Sequence, residues 1–169
     1  MMTLDAIELI RSMVNRTRLW RGRAITTLRE KGCTDLGYRP ASGMASIGWI
    51  LAHQAAVYDY SLNVLIRGES PKSPEIFRKH TPGTDGAWTG LSLQDTEDYY
   101  SSGEEDLLAY VEDATDEELT SIPEHQENMP AAFRGMRVID LIANTFVHLG
   151  HHNGHLNAIA ADWEKKNKK

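Results

Sequence analysis

"MASIGWILAHQAAVYDYSLNVLI", residues 44–66, carries one charged side chain, Asp59. A helix of that composition is apolar on most of its faces, so it has to be surrounded by other elements. The interior of a helical bundle offers that setting.

The flanking sequence supplies the partners. Upstream, Leu4, Ile7, Ile10, Val14 and Leu28 recur at helical spacings while Arg11, Arg18, Arg29 and Glu30 fall elsewhere, and Gly32 closes the pattern. Residues 34–43, "TDLGYRPASG", are a loop. Residues 67–92 hold three prolines and four glycines together with His80 and Trp88. A connection of that length often serves as a lid or a binding wall. A third helix is predicted from Ser92 and Asp95, which pair as a cap, towards Asp113, with "SSG" (101–103) in its middle poor helix and a place for a kink or break. "TDEEL" (115–119) starts one short turn, 120–134 is loop, and a last helix runs from about Met136 to Trp163. The fold class is therefore all-α, a four-helix bundle with a long connection between its second and third helices. One domain spans 1–163, and the basic tail 164–169 is expected to be disordered.

Composition narrows the function classes. A net charge of −6 and a pI near 5.6 give no nucleic-acid footprint. The basic clusters "RTRLWRGR" (16–23) and "EKKNKK" (164–169) read as solvated surface. The single cysteine, Cys33, excludes an internal disulfide and a cysteine-rich zinc site. No stretch approaches the ~20 apolar residues of a membrane span, and "MMTLDAIELIRSM" lacks the basic start and unbroken apolar core of a signal peptide. A cytoplasmic protein with no membrane and no nucleic-acid partner is expected.

Chemistry concentrates in "HLGHHNGH", residues 148–155. Val138, Ile142, Thr145, Leu149, Leu156, Ile159 and Trp163 follow alternating steps of four and three, provided that position 152 fills the gap. His152 then faces the core, His148 and His155 line its edge, and His151 meets solvent. Residues at i and i+4 stand about 6 Å apart at Cβ, so His148 and His152 can reach one ion. Two nitrogens leave a metal under-coordinated. His53, on a face shared with Ile50, Val57, Tyr60 and Val64, can supply the third. Three inward imidazoles satisfied by hydrogen bonds alone are the other reading. An unpaired buried polar group costs about 1–3 kcal/mol, few inward carboxylates are available here, and one shared cation resolves all three. Gly150 and Gly154 lie behind the histidines, either as tolerated surface glycines or at a close approach of a loop or second subunit.

"YRPASGMA" (38–45) leading into "SIGWILAH" (46–53), and the late HxxxHxG pattern "HLGHHNG" (148–154), resemble the DinB/YfiT-like superfamily of metal-binding four-helix bundles. The likeness extends over nearly the whole chain, including the early "NRTRLW" helix. It implies a bundle with an unusual crossover, a divalent ion held by His53, His148 and His152, and often a homodimer. The family usually has Gln after the motif glycine and often Tyr before the last ligand, where this chain has His155 and His151. His155 then becomes an extra ligand or a proton carrier, and we assign it as the catalytic residue.

Three neutral imidazoles leave the ion at +2 with a position open, the arrangement of a catalytic site. Imidazole ligation suits zinc, nickel, copper and iron, with zinc or nickel expected here. The resemblance implies transferases that use low-molecular-weight thiols such as bacillithiol or mycothiol, so the first expectation is a metal-dependent thiol S-transferase acting on a small electrophile. A metal-dependent hydrolase and a non-catalytic metal- or ligand-binding stress-response protein are the alternatives. No HExxH, nucleophile elbow, P-loop or dinucleotide glycine motif is present.

Overall fold

The computed structural model describes residues 4–41 and 43–167; the side chains of Leu4, Asp5 and Ala6, and Lys168 and Lys169, lie outside the described residues. The chain is all-α, with no strand among the described residues. The long segments are α1 (Leu4–Glu30), α2 (Ile47–Asp59) with a π-helical continuation (Tyr60–Ile66), α4 (Leu93–Asp113) and α6 (Val138–Asn167). Short helices α3 (Pro74–Lys79) and α5 (Asp116–Thr120) and two single 3-10 turns occupy the connections. No helix among the described residues is long and apolar enough to cross a membrane.

All of α2 is buried, as one charge in 44–66 required. Ser46 starts it by accepting the Trp49 backbone N–H at 3.2 Å. Its π continuation rotates the register. Backbone bonds such as Arg67 N–H to Leu62 O close i→i+5 rings, adding a residue to the turn. Leu65 therefore takes the place on the His53 face that regular α-helical spacing gave to Val64.

Along α1 the buried positions are Ile10, Val14, Thr17, Arg21, Ala24 and Leu28, steps of four and three throughout. Arg21 corrects the reading of residues 16–23 as solvated surface, being only 2% exposed. Its place on the seam forces it inward, and partners from α2 and α4 make the burial tolerable: it donates to Gln54 Oε1 and Leu51 O, pairs with Glu97, and stacks on Tyr100. Arg18 next to it stays at the surface, bonded to the buried Glu104.

The break weighed in α4 at 101–103 is absent, and the helix runs unbroken. Gly103 is a packing residue: a Cβ there would come within 2.8 Å of Tyr58 Cβ, so glycine lets α4 lie close against α2. Thr115 and Glu118 form the expected capping box of α5. Helix α6 continues through 164–167, part of the segment expected to be disordered, with Glu164 bonded to Lys31 and Lys166 to Asp162 and Pro40 O.

The core divides in two. One apolar cluster contains Ile10, Val14, Ala55, Tyr58, Leu107 and Leu149, and the other Ala24, Leu28, Ile50, Leu51, Leu156 and Ile159. Between their members on α1, α2 and α6 fall Arg21, His53, Gln54, His152 and Asn153, all buried. A polar layer thus crosses the middle of the bundle.

Candidate metal centre

The α6 seam places His148, His151 and His152 as their spacing predicted, whereas His155, expected at the core's edge beside His148, is not held there. His152 is buried, His148 half-buried, and His151 and His155 exposed. His53 is buried on α2 opposite them. The Nε2 atom of His148 lies 2.9 Å from that of His53 and 3.0 Å from that of His152. One ring nitrogen from each of the three lies within 4.8 Å of the others. Around a tetrahedral ion with metal–nitrogen bonds of about 2.0–2.1 Å, ligand nitrogens stand about 3.3 Å apart, a few tenths wider than these two contacts.

Proton counting favours a cation at this meeting point. A neutral imidazole nitrogen bears either a proton or a lone pair. His53 Nδ1 faces the backbone carbonyl of His80 and donates to it, so its Nε2 presents the lone pair. A proton on His148 Nε2 would have to be split between two neighbours to serve both. Without that proton, two lone pairs would confront each other. A cation accepts all three lone pairs, so the residues present fit a divalent ion. Burial pushes the His53 imidazole down to about 4 and, with the neighbouring imidazoles adding to it, that of His152 to about 2. Desolvation also lowers His148, with a smaller contribution from His151. All three are therefore neutral near pH 7, as ligation requires.

The surroundings hold the His53 ring firmly. Trp49 stacks on it with centroids 4.6 Å apart and planes at 14°, and the Trp49 indole N–H bonds Lys79 O and Thr84 Oγ1. His80 keeps its own ring occupied, with Nδ1 donating to Ile76 O at 2.7 Å and Nε2 bonded to Thr89 Oγ1 at 3.1 Å. The long connection thus orients a candidate ligand through a backbone carbonyl, a common arrangement around metal-binding histidines. His152 Nδ1, by contrast, is buried without a partner.

One residue beyond each of two candidate ligands runs a cross-helix bridge. Gln54 donates to Asn153 Oδ1 at 2.8 Å and to Leu149 O at 3.2 Å while accepting from Arg21. This fixes α2 against α6 at the level of the histidines. The buried Arg21 was missed because it sits in a basic run; its place on the α1 seam was the available signal. The His80 carbonyl left no signal, since a backbone group has no residue type.

His155 stands apart from the three. Its ring packs on His151 at 4.2 Å and lies 5.3 Å from that of His152. Gly150 and Gly154 have nothing within 4 Å of a Cβ built on them, so among the described residues no loop presses on that side of α6.

His53 and His148 also form part of the wall of a cavity of about 510 Å³. The face of α2 and its π turn contributes Ala56, Val57, Tyr60, Ser61 and Leu65, and α6 adds Asn144. The 67–92 connection supplies Phe77, Thr81 and Pro82, as a binding wall would, and the 120–134 segment supplies Pro130 and Phe133.

A family model described as the DinB superfamily matches residues 20–156. Comparison with the curated proteins and with the solved structures gave no match.

Proposed function

Because the chain belongs to the DinB superfamily and three of its imidazoles meet beside a cavity, we propose that it is a divalent-metal-dependent enzyme transferring a low-molecular-weight thiol to a small electrophile. The observation that carries this reading is the position of His53 and His148, which share the convergent nitrogens and the cavity wall. A fourth ligand position would then open towards the cavity. When bound, a zinc or nickel ion would supply a +2 charge that ionises a thiol well below its ordinary pKa of about 8.5.

The chain's own residues do the rest. His80 O and Trp49 hold the His53 ring so that Nε2 points to the centre. The apolar wall keeps water from competing for the electrophile. The sulfur forms a bond to the electrophilic carbon, the leaving group departs with its electron pair, and the thiol proton passes to solvent. His155, on the outer side of His152, is the proposed proton carrier.

A hydrolase is less well served. Activating water calls for a general base near the reacting atoms, and the cavity lining contains no carboxylate. Thiol transfer needs only the ionised sulfur. We extend the proposal to a homodimer, which light scattering at micromolar concentration would test against the 19.0 kDa chain mass.

Protein purified without a nickel column should carry a divalent ion by elemental analysis. His53→Ala and His152→Ala should lose it, and His151→Ala should retain it. Conjugation of a test electrophile should require both thiol and metal. Metal binding without conjugation by any common cellular thiol would leave a hydrolase or a non-catalytic binding protein. Full metal occupancy in His53→Ala would remove the site. His155→Ala with metal retained and rate lost would fix the proton-carrying role, and loss of metal would make His155 a ligand.

A further inference from the structure

The cavity beside the histidines has a chemistry of its own. Apart from His53 and His148, its lining contains no amine, guanidinium or carboxylate. A buried charge without a partner is strongly disfavoured, so an ionic ligand gains no counter-charge from these walls. Three aromatic residues from three separate segments converge there. Tyr60, on the π turn, lies 5.6 Å from Phe77 of α3 with planes at 27°, and 6.1 Å from Phe133 with planes at 72°. All three remain only half-buried. Apolar ring surface left uncovered inside a concavity favours an apolar occupant, which would remove it from water. The volume, about 510 Å³, falls within the range of about 300–1,000 Å³ for small-molecule sites.

The polar atoms are few and differ in availability. Ser61 Oγ is engaged with Thr145 Oγ1 at 2.7 Å. The Asn144 amide makes no hydrogen bond with the described residues, and it stands one helical turn before His148. The aromatic walls and the polar end, formed by Asn144, His53 and His148, thus offer different contacts to one ligand.

We propose that this cavity binds an uncharged molecule bearing a planar aromatic group, held by Tyr60, Phe77 and Phe133 with a polar atom turned towards Asn144 and the histidines. This deepens the enzyme reading by naming the class of electrophile, and it rests on that reading for the chemistry performed. The binding itself is a property of the walls and does not need the ion.

Two fluorescent probes that share an anilinonaphthalene frame test it on metal-free protein. N-phenyl-1-naphthylamine is uncharged, and 8-anilino-1-naphthalenesulfonate adds a sulfonate. The uncharged probe should bind saturably, one per chain, at least tenfold more tightly than the sulfonate. Phe77→Ala and Phe133→Ala, each checked for an unchanged circular dichroism spectrum, should each weaken it severalfold. Because both rings are half-exposed, a variant that fails to fold is replaced by the Phe→Leu change at the same position, which keeps bulk and removes the ring. Equal or tighter sulfonate binding would overturn the exclusion of charge. No saturable binding of the uncharged probe, or affinity unchanged in both folded variants, would overturn the site. Since no metal is present, failure here leaves the metal proposal standing, and failure of metal binding leaves this one standing.

Discussion

Gln54→Leu probes the polar layer directly. Leucine has nearly the volume of glutamine, so the substitution removes hydrogen bonds with little change in packing. Gln54 is fully buried, and Arg21 and Asn153 are 2% and 4% exposed, so water cannot readily replace what is lost. Arg21 would keep Glu97 and a 3.3 Å contact to Leu51 O but lose its amide acceptor. Asn153 Oδ1 would lose the Gln54 donor at 2.8 Å. A hydrogen bond to a charged group contributes about 1.5–3 kcal/mol, and a stranded buried acceptor costs about 1–3 kcal/mol. The expected loss is about 3–5 kcal/mol, comparable with breaking a buried ion pair. At about 2–4 °C per kcal/mol for a chain of this size, Tm should fall by about 10 °C or more.

Thermal and urea unfolding followed by circular dichroism would measure the loss. The double variant Gln54→Leu with Asn153→Leu should recover part of it, because removing both members of a pair strands fewer groups than removing one. A loss under about 1 kcal/mol in the single variant, or strict additivity in the pair, would refute the bridge as a coupled unit.

Two further outcomes follow from particular contacts. Gly103→Ala should destabilise the protein by about 1–3 kcal/mol, because overpacking against Tyr58 exceeds the roughly 1 kcal/mol that alanine gains over glycine in a helix; equal or greater stability in urea would show that α4 can shift away. Cys33 is 3% exposed, and burial, helped by Asp35, pushes its thiol up to about 11; a disulfide reagent at neutral pH should label it rapidly only in denaturant, and rapid labelling of the native protein would contradict the burial.

How far the sequence was readable depended on whether a feature has a residue type and a period. The lone charge in 44–66 forced α2 inside, and steps of three and four along α6 separated inward His152 from exposed His151. These are burial patterns, and composition records burial. The π turn left no mark because hydrogen-bond register is not a composition: Tyr60–Ile66 looks like any apolar helix, yet its winding brings Leu65 into the cavity wall in place of Val64. Arg21 was misread because local charge density outweighed its position on the α1 seam. Gly103 suggested weakness in a helix where it permits contact, since the deciding atom, Tyr58 Cβ, lies on another helix. The rings of Tyr60, Phe77 and Phe133 met only through folding of the two long connections.

The polar layer also decides what a metal would do for stability. Apolar clusters stand on both sides of it, so the helices have a core that does not depend on an ion. The layer itself is incomplete in one respect: the His53, His148 and His152 nitrogens meet without enough protons in the right places, and His152 Nδ1 has no partner. An ion binding only the folded chain stabilises it by about 2.7 kcal/mol at a free concentration a hundred times Kd, which corresponds to a rise in Tm of about 5–10 °C. Chelator-treated protein should therefore keep its full helical circular dichroism while melting earlier than protein reloaded with zinc or nickel. The rise should vanish in His53→Ala, because two ligands on one helix cannot close the site. Loss of helix on chelation would make the ion a structural staple. A Tm indifferent to metal in the wild-type chain would mean that the three imidazoles are satisfied by hydrogen bonds, and the proposed metal chemistry would fall with that result.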